Sequence, residues 1–358
     1  MTDPSDPRPH DAADPPESAN TAEPPDAGDL ADPADAADAA GTPTVRPSLF
    51  GLEGRAAPGL YLVGWVAGGI GLGVLAVSIL AGGSTAAPWL FLAGLLLFTP
   101  GIFAAAGSQA IERGRRPDLA YRGPAPVLLL LVAVPLTLIG VLVVIAPLAA
   151  LGLDARSPVA TALSVAVTLL AYVGVVRLLV VGPGALAWRD MGLSMPATAA
   201  ARDLVIGAAF AVPVLLVTLL LGGLLSRFLP TAPSVLPAAG DTLGLVANLL
   251  AAAVLAPIGE EIFFRGFATT AWAKAVGAGP AIVRGAVFFA AAHVLTLFDE
   301  SFALGAQRAL FSFLALLPVA LALGWLYLSR RSLYASIGLH AAFNGIQVVL
   351  LFAAASAS

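Results

Sequence analysis

Long apolar stretches separated by short polar loops dominate the chain from residue 58 onward. Each is about as long as the 18 or more residues that a helix needs to cross a bilayer. Strands are not expected, because lipid offers no hydrogen-bond partners to an open sheet edge and the alternating segments of a membrane barrel are absent. The pattern predicts an all-α fold, a polytopic transmembrane helix bundle of about nine spans (eight to nine). The nine stretches lie near 59–81, 87–106, 125–151, 158–181, 204–225, 244–264, 281–298, 309–328 and 333–352.

The composition agrees with an integral membrane protein whose partner is membrane lipid. Hydrophobic residues make up 59% of the chain and charged residues 11%, with a mean hydropathy of +0.91, whereas soluble domains are about 45–50% apolar. Cysteine is absent, which excludes disulfides and thiolate chemistry. No nucleotide-binding loop occurs, and we expect no nucleic-acid partner.

The first 57 residues have a different composition, dominated by Pro, Ala and Asp, with twelve acidic and three basic residues. Such a segment cannot bury enough apolar surface to fold alone. It also lacks the apolar stretch of a secretory signal peptide. We therefore predict a disordered acidic tail over residues 1–57 that stays attached to the chain.

The basic residues in the loops predict the orientation in the membrane, because cytoplasmic loops are enriched in Lys and Arg. The loop after the second stretch is the strongest marker, with four arginines between residues 113 and 122. Alternation of the spans then places the N-terminus in the cytoplasm and the C-terminus outside. The further basic residues that fall on the cytoplasmic side are Arg189, Arg202, Lys274, Arg330 and Arg331.

The segment IGEEIFFRGF, residues 258–267, places three charged side chains at the end of a stretch without charge. On a helix Glu261 and Arg265 are four residues apart on one face, in the order that favours an ion pair, whereas Glu260 points about 100° away. This spacing predicts a structural clamp between Glu261 and Arg265 and leaves Glu260 free to handle a proton. Interfacial charges that extend towards the headgroups are the alternative interpretation.

Two of the three histidines lie inside apolar stretches: His293 in FFAAAHVL and His340 in GLHAAFNG. Ionisable groups at membrane depth are functional by default, although a single buried histidine is more often a packing residue. His340 and Asn344 are four residues apart, so an imidazole and a carboxamide share one helix face and could donate to the same oxygen. Together with Glu260, these residues are typical of amide hydrolysis.

The ordered series Glu260-Glu261-x-x-x-Arg265, Phe289-x-x-x-His293 and His340-x-x-x-Asn344 resembles the three signature motifs of the CPBP family. This family comprises the CaaX proteases and bacteriocin-processing enzymes, also called Abi proteins. The resemblance covers roughly residues 200–353, an expected protease core, and leaves 58–199 as accessory transmembrane helices. It implies an intramembrane endopeptidase with a polar cavity open to the cytoplasmic side.

By that resemblance, the catalytic residues are Glu260, Glu261, Arg265, His293, His340 and Asn344. Glu260, assisted by His293, would activate the water, and His340 with Asn344 would stabilise the oxyanion.

The sequence leaves the cofactor unknown. Glu260, His293 and His340 would form a His₂Glu set for a divalent metal such as zinc, and members of the family are often described as metallopeptidases. There is no HExxH segment, and a metal-free Glu/His mechanism uses the same residues, so we slightly favour the latter.

Two rival functions remain open at this stage: a catalytically silent immunity or scaffold protein of the same fold, and a secondary transporter. A transporter should show interrupted helices in both halves, but the polar residues here are confined to the last four spans. We expect a peptide or membrane-protein substrate of unspecified identity and a prokaryotic cell (inner) membrane. The sequence does not indicate the oligomeric state.

Overall fold

A computed structural model of the protein describes residues 51–232, 234, 236–295 and 301–357. Within these residues the chain forms nine helices and no strand, which confirms the predicted fold class. The helices are α1 Pro58–Leu80, α2 Ala87–Gly114, α3 Pro126–Ala150, α4 Pro158–Val176 with a π-helical turn Arg177–Val181, α5 Ala197–Leu225, α6 Thr242–Val276, α7 Ala278–Val294, α8 Phe302–Arg330 and α9 Leu333–Ala357.

Eight of the nine helices are long and apolar enough to cross a membrane, and α7, with 17 residues, is shorter. Helix α6 differs most from its predicted bounds, because it continues for twelve residues beyond position 264 and reaches 35 residues. The charged segment 258–267 therefore lies in the middle of a helix rather than at its end. The predicted seventh stretch extends to residue 298, and its last three residues lie outside the described part of the chain.

The predicted tail falls mostly outside the described residues, which begin at position 51. Residues 51–57 are described and contact the first two helices. Arg55 Nη1 lies 3.1 Å from Glu112 Oε1, and the Arg55 guanidinium lies 3.3 Å from the centre of the Tyr61 ring. The start of α1 and the end of α2 therefore lie at the same end of the bundle.

Loops that alternation assigns to one side of the membrane do meet at one end of the bundle. Arg330 at the end of α8 donates to Asp203 at the start of α5, with 2.6 Å between Nη2 and Oδ1. The Leu333 N–H at the start of α9 donates to the Gly192 carbonyl in the loop after α4, at 3.2 Å. The α2–α3 loop, the loop after α4 and the end of α6 line one surface cleft. Which membrane face this end occupies stays a prediction.

Helices α5 and α9 approach closely at two glycines. A side chain at Gly207 would collide with the Ala335 carbonyl, and one at Gly338 with the Leu204 carbonyl. Small residues at such crossings allow backbones to come together in membranes, where the hydrophobic effect does not drive helix association. This contact fixes α9, which carries His340, against α5.

Helix α4 packs against the charged segment of α6, although it belongs to the helices predicted to be accessory. The Tyr172 and Phe263 rings stack with 4.7 Å between their centres, and a side chain at Gly259 would contact Leu169. Phe263, Phe264 and further buried side chains of α3, α4, α6 and α7 form one apolar core. The charged residues of α6 are thus held from the α4 side as well as from α7.

Helices α6 and α7 form an antiparallel hairpin that turns at Gly277. Gly277 has φ = 85°, a left-handed conformation that glycine adopts without strain. Glu260 precedes this turn by 17 residues and His293 follows it by 16, which places both about 25 Å from the turn at ~1.5 Å per residue. Phe264 and Phe289 lie one helical turn closer to Gly277 than Glu260 and His293 do, and the centres of their rings are 5.1 Å apart. The hairpin therefore brings Glu260 and His293 to the same depth.

Candidate active site

Glu260 faces both histidines that the helices carry. Its Oε2 atom lies 3.5 Å from Nε2 of His293 on α7 and 3.8 Å from Nε2 of His340 on α9. The Glu260 side chain is 19% exposed, and His293 is 33% exposed. Among the described residues, Oε2 accepts no hydrogen bond within the usual distance. Glu260 Oε2 is therefore a buried carboxylate oxygen with two imidazole nitrogens nearby and a hydrogen bond to neither.

Glu261 is fully buried and holds two partners through one oxygen. Arg265 Nη1 donates to Glu261 Oε1 at 3.0 Å, and His340 Nδ1 lies 2.8 Å from the same atom. Arg265 is itself 1% exposed, and its guanidinium lies 4.1 Å from the centre of the Phe289 ring. A second donor, Nη2, reaches the Ala320 carbonyl of α8 at 3.4 Å. This buried ion pair therefore joins α6, α7, α8 and α9.

Glu261 and Arg265 both lie in a π-helical segment of α6, residues Glu261–Thr269. Such segments occur frequently at functional sites. The Thr269 hydroxyl donates to the Phe264 carbonyl at 2.8 Å, and Thr270 Oγ1 lies 3.4 Å from the Arg265 carbonyl oxygen. Two threonine side chains thus satisfy carbonyls in a segment of irregular geometry.

The contact of His293 with the backbone determines which ring nitrogen carries hydrogen. Nδ1 lies 2.8 Å from the Phe289 carbonyl oxygen, and because a carbonyl can only accept, Nδ1 must donate. In the neutral ring, Nε2 is then an acceptor. The Phe289 ring lies 4.2 Å from the His293 ring, centre to centre, and fixes its position further. A neutral His293 therefore presents a lone pair towards Glu260.

The same reasoning applies to His340. Its Nδ1 contacts the Glu261 carboxylate, which is paired with Arg265 and only accepts, so Nδ1 carries hydrogen. His340 can consequently donate from Nε2 only as an imidazolium. Glu260, Glu261 and Arg265 together carry one uncompensated negative charge. One protonated histidine would balance it, and uncompensated charge is costly at this depth.

Asn344 lies one helical turn beyond His340 on α9, as the sequence spacing predicts. Its Nδ2 donates to the Ala252 carbonyl of α6 at 2.8 Å, which uses one of the two N–H groups of the carboxamide. The structure therefore brings five of the six predicted catalytic residues into one set of contacts. The sixth, Asn344 of α9, is bonded to the backbone of α6.

Among the described residues, no group of three or more His, Cys, Asp or Glu side chains is arranged to hold a metal ion, and the metal-free mechanism stays a prediction. Glu260, His293 and His340 are the residues that would supply ligands, and Glu260 Oε2 lies 3.5 and 3.8 Å from the Nε2 atoms of the two histidines. We derive no catalytic step through a metal.

Two features of the helical bundle were not identified from the sequence. Tyr172 stacks on Phe263, although nothing in its local sequence distinguishes it from other aromatic residues of the spans. Asp203 is 3% exposed and binds Arg330. From the sequence, Arg330 was interpreted only as a basic residue that marks the orientation in the membrane. A signal was present for Asp203, because it is the only acidic residue between positions 191 and 240, and such residues are functional or paired in membranes.

The fold and the site define a class of protein: an all-helical membrane protein with a Glu–His cluster between the helices of its core. Residues 242–346 match a family model, described as type II CAAX prenyl endopeptidase Rce1-like. The chain thus carries an Rce1-like domain from the first residue of α6 to Ile346 of α9, which confirms the predicted resemblance over a shorter range than 200–353. No curated protein and no solved structure matches the chain. The family is a protease family, consistent with a CPBP intramembrane protease, and all six predicted catalytic residues lie within the match.

Proposed function

We propose that the protein is an intramembrane endopeptidase that hydrolyses a peptide bond of a membrane-associated peptide or protein. The observation that carries the proposal is the position of Glu260 Oε2, 3.5 Å from His293 Nε2, within a family-matched domain. The neighbouring carboxylate of Glu261 is already engaged by Arg265 and His340. Glu260 is therefore the carboxylate available for proton transfer.

Water activation follows from two acceptors that face each other. The carboxylate of Glu260 and the lone pair of a neutral His293 can each accept a hydrogen bond from one water molecule that lies beside the two atoms, which are 3.5 Å apart. As the water attacks the carbonyl carbon of the substrate, its proton passes to Glu260. When the tetrahedral intermediate collapses, the C–N bond breaks and Glu260 returns that proton to the leaving amine. Proton transfer by such a positioned base typically contributes about 10²–10⁴-fold to the rate.

Oxyanion stabilisation is the role we propose for His340 and Asn344. The tetrahedral intermediate carries negative charge on one oxygen, and donors already in place stabilise it at little reorganisation cost. His340 would donate from Nε2 as an imidazolium whose Nδ1 stays bonded to Glu261. Asn344 would use the N–H that is not bonded to Ala252. Glu261 therefore serves the chemistry through His340, in addition to pairing with Arg265.

The remaining expectations are part of the same proposal. We propose a metal-free Glu/His mechanism, a prokaryotic inner membrane as the location, and the basic end of the bundle in the cytoplasm. The matched family is described as a type II CAAX prenyl endopeptidase family, so a prenylated peptide is one candidate substrate. An unmodified peptide or a membrane-protein terminus would suit the same chemistry.

The test uses the full chain reconstituted in liposomes and a pool of internally quenched peptides. One arm of the pool carries a farnesylated C-terminal cysteine, and the other is unmodified. We expect the parent protein to cleave members of one arm, the Glu260→Gln variant to show background only, and Glu53→Gln, which changes an exposed carboxylate, to match the parent. Cleavage that persists in Glu260→Gln would refute the assigned base. No cleavage of either arm by the folded parent would favour the catalytically silent alternative.

A further inference from the structure

A carbonyl group in α6 lacks a partner within its own helix. Residues Leu250–Leu255 form a π-helical turn, at whose end the Ala256 N–H donates to the Ala251 carbonyl, five residues back. In that register the next donor, to the Ala252 carbonyl, would be the N–H of residue 257. Residue 257 is proline, which has no N–H. Pro257 and the π turn together therefore leave the Ala252 carbonyl without a backbone donor.

Asn344 supplies the missing donor from α9. Its Nδ2 lies 2.8 Å from the Ala252 oxygen in a partly buried contact between α9 and α6, where a carbonyl without a partner is unfavourable. That bond fixes the plane of the carboxamide, because the two amide N–H groups share a plane. The second N–H is then held in one direction and remains available for another acceptor.

We propose that Pro257 is a positioning residue for Asn344. It keeps the Ala252 carbonyl vacant, that carbonyl orients the carboxamide, and the carboxamide donates its remaining N–H to the developing oxyanion. Pro257 itself touches no reacting atom. This inference rests on the proposed function for its catalytic consequence, but the link between Pro257 and Asn344 exists whatever the protein does.

The kinetic test is a double-mutant cycle on a quenched peptide that the parent cleaves. Pro257→Ala introduces an N–H that competes for the Ala252 carbonyl and releases Asn344. We expect kcat to fall about tenfold or more, within the loss of about 10²–10³ for removal of an oxyanion donor, with KM little changed. In an Asn344→Ala background the same change should cost less than about twofold. Pro135→Ala, at another buried proline inside a helix, should leave kcat within about twofold of the parent.

Full kcat in Pro257→Ala, or losses that multiply in the double variant, would overturn the proposal. Melting temperatures of the same four cycle proteins give a readout that needs no catalysis. In the parent, Asn344→Ala should clearly lower the melting temperature, because the Ala252 carbonyl loses its donor. In the Pro257→Ala variant the same change should lower it much less, because residue 257 then supplies a backbone donor to that carbonyl. Equal losses in both backgrounds would overturn the Pro257–Asn344 link. If Asn344→Ala affects the melting temperature unequally in the two backgrounds while the parent cleaves no peptide, the Pro257–Asn344 link is supported and the peptidase function is overturned.

Discussion

Replacing Glu261 with glutamine removes a negative charge from a carboxylate that solvent does not reach. Glu260→Gln makes the same chemical change one residue earlier, so the two variants form a matched pair. The surroundings of the two side chains differ: Glu261 binds Arg265 and His340 at 3.0 and 2.8 Å, whereas the nearest nitrogens to Glu260 Oε2 lie at 3.5 and 3.8 Å. We therefore expect unequal effects on stability.

The magnitude for Glu261→Gln follows from the charge left behind. Arg265 is 1% exposed, and breaking a buried ion pair by removing one partner typically costs about 3–5 kcal/mol. For Glu260, whose side chain is partly exposed and forms no short contact, we expect a change within about 1 kcal/mol. The expected difference between the two variants is thus at least about 2 kcal/mol of unfolding free energy.

The assay combines thermal unfolding in detergent micelles with cleavage of quenched peptides by the reconstituted variants. Glu260→Gln should unfold near the temperature of the parent and show background cleavage. Glu261→Gln should unfold at a clearly lower temperature and also lose activity, because His340 no longer has a carboxylate to stabilise its imidazolium. Equal destabilisation with equal activity loss would refute the division of roles between the two glutamates.

Four further outcomes are expected. Asn344→Ala should lower kcat about 10²–10³-fold with KM little changed; an effect on KM alone would mean that the residue binds or packs. Elemental analysis of the purified protein should find no stoichiometric metal, and a metal that His340→Ala removes would contradict the metal-free mechanism. Gly338→Leu should destabilise the protein by about 1–3 kcal/mol, since even an added Cβ would collide with α5. Gly69→Leu, where an added Cβ would meet no atom within 4 Å beyond its own helical turn, should be tolerated when melting curves are compared. Deletion of residues 2–50 should leave membrane insertion and peptide cleavage unchanged, because a segment of that composition contributes no apolar core; loss of insertion would contradict this.

Local patterns in the sequence were sufficient for the parts of the fold that depend on neighbours along the chain. Apolar stretches predicted the helices, because a bilayer accepts few other structures. The spacing of four residues predicted the contact between Glu261 and Arg265, which the structure contains. The charges inside α6 misled the boundary prediction, since a polar segment in an apolar helix resembles its end.

Contacts between distant parts of the chain were not predictable in the same way. Glu261 and His340 are separated by 79 positions, and their bond depends on how α6 and α9 cross. The Asn344 bond to Ala252 depends on a π turn, and hydrophobic periodicity does not distinguish a π turn from a regular helix over six residues. The contribution of α4 through Tyr172 required knowledge of which helices are neighbours. The motifs therefore identified the candidate residues, and only the packing showed which atoms meet.

The hairpin that turns at Gly277 constrains how the chain can change in length. Glu260 and His293 meet because 17 residues on one arm match 16 on the other. One residue inserted into either arm would shift everything beyond it by ~1.5 Å and rotate it by about 100°, and one of the two side chains would leave the site. Insertions and deletions should therefore be tolerated in the α5–α6 loop, between residues 226 and 241, but not between Glu260 and His293.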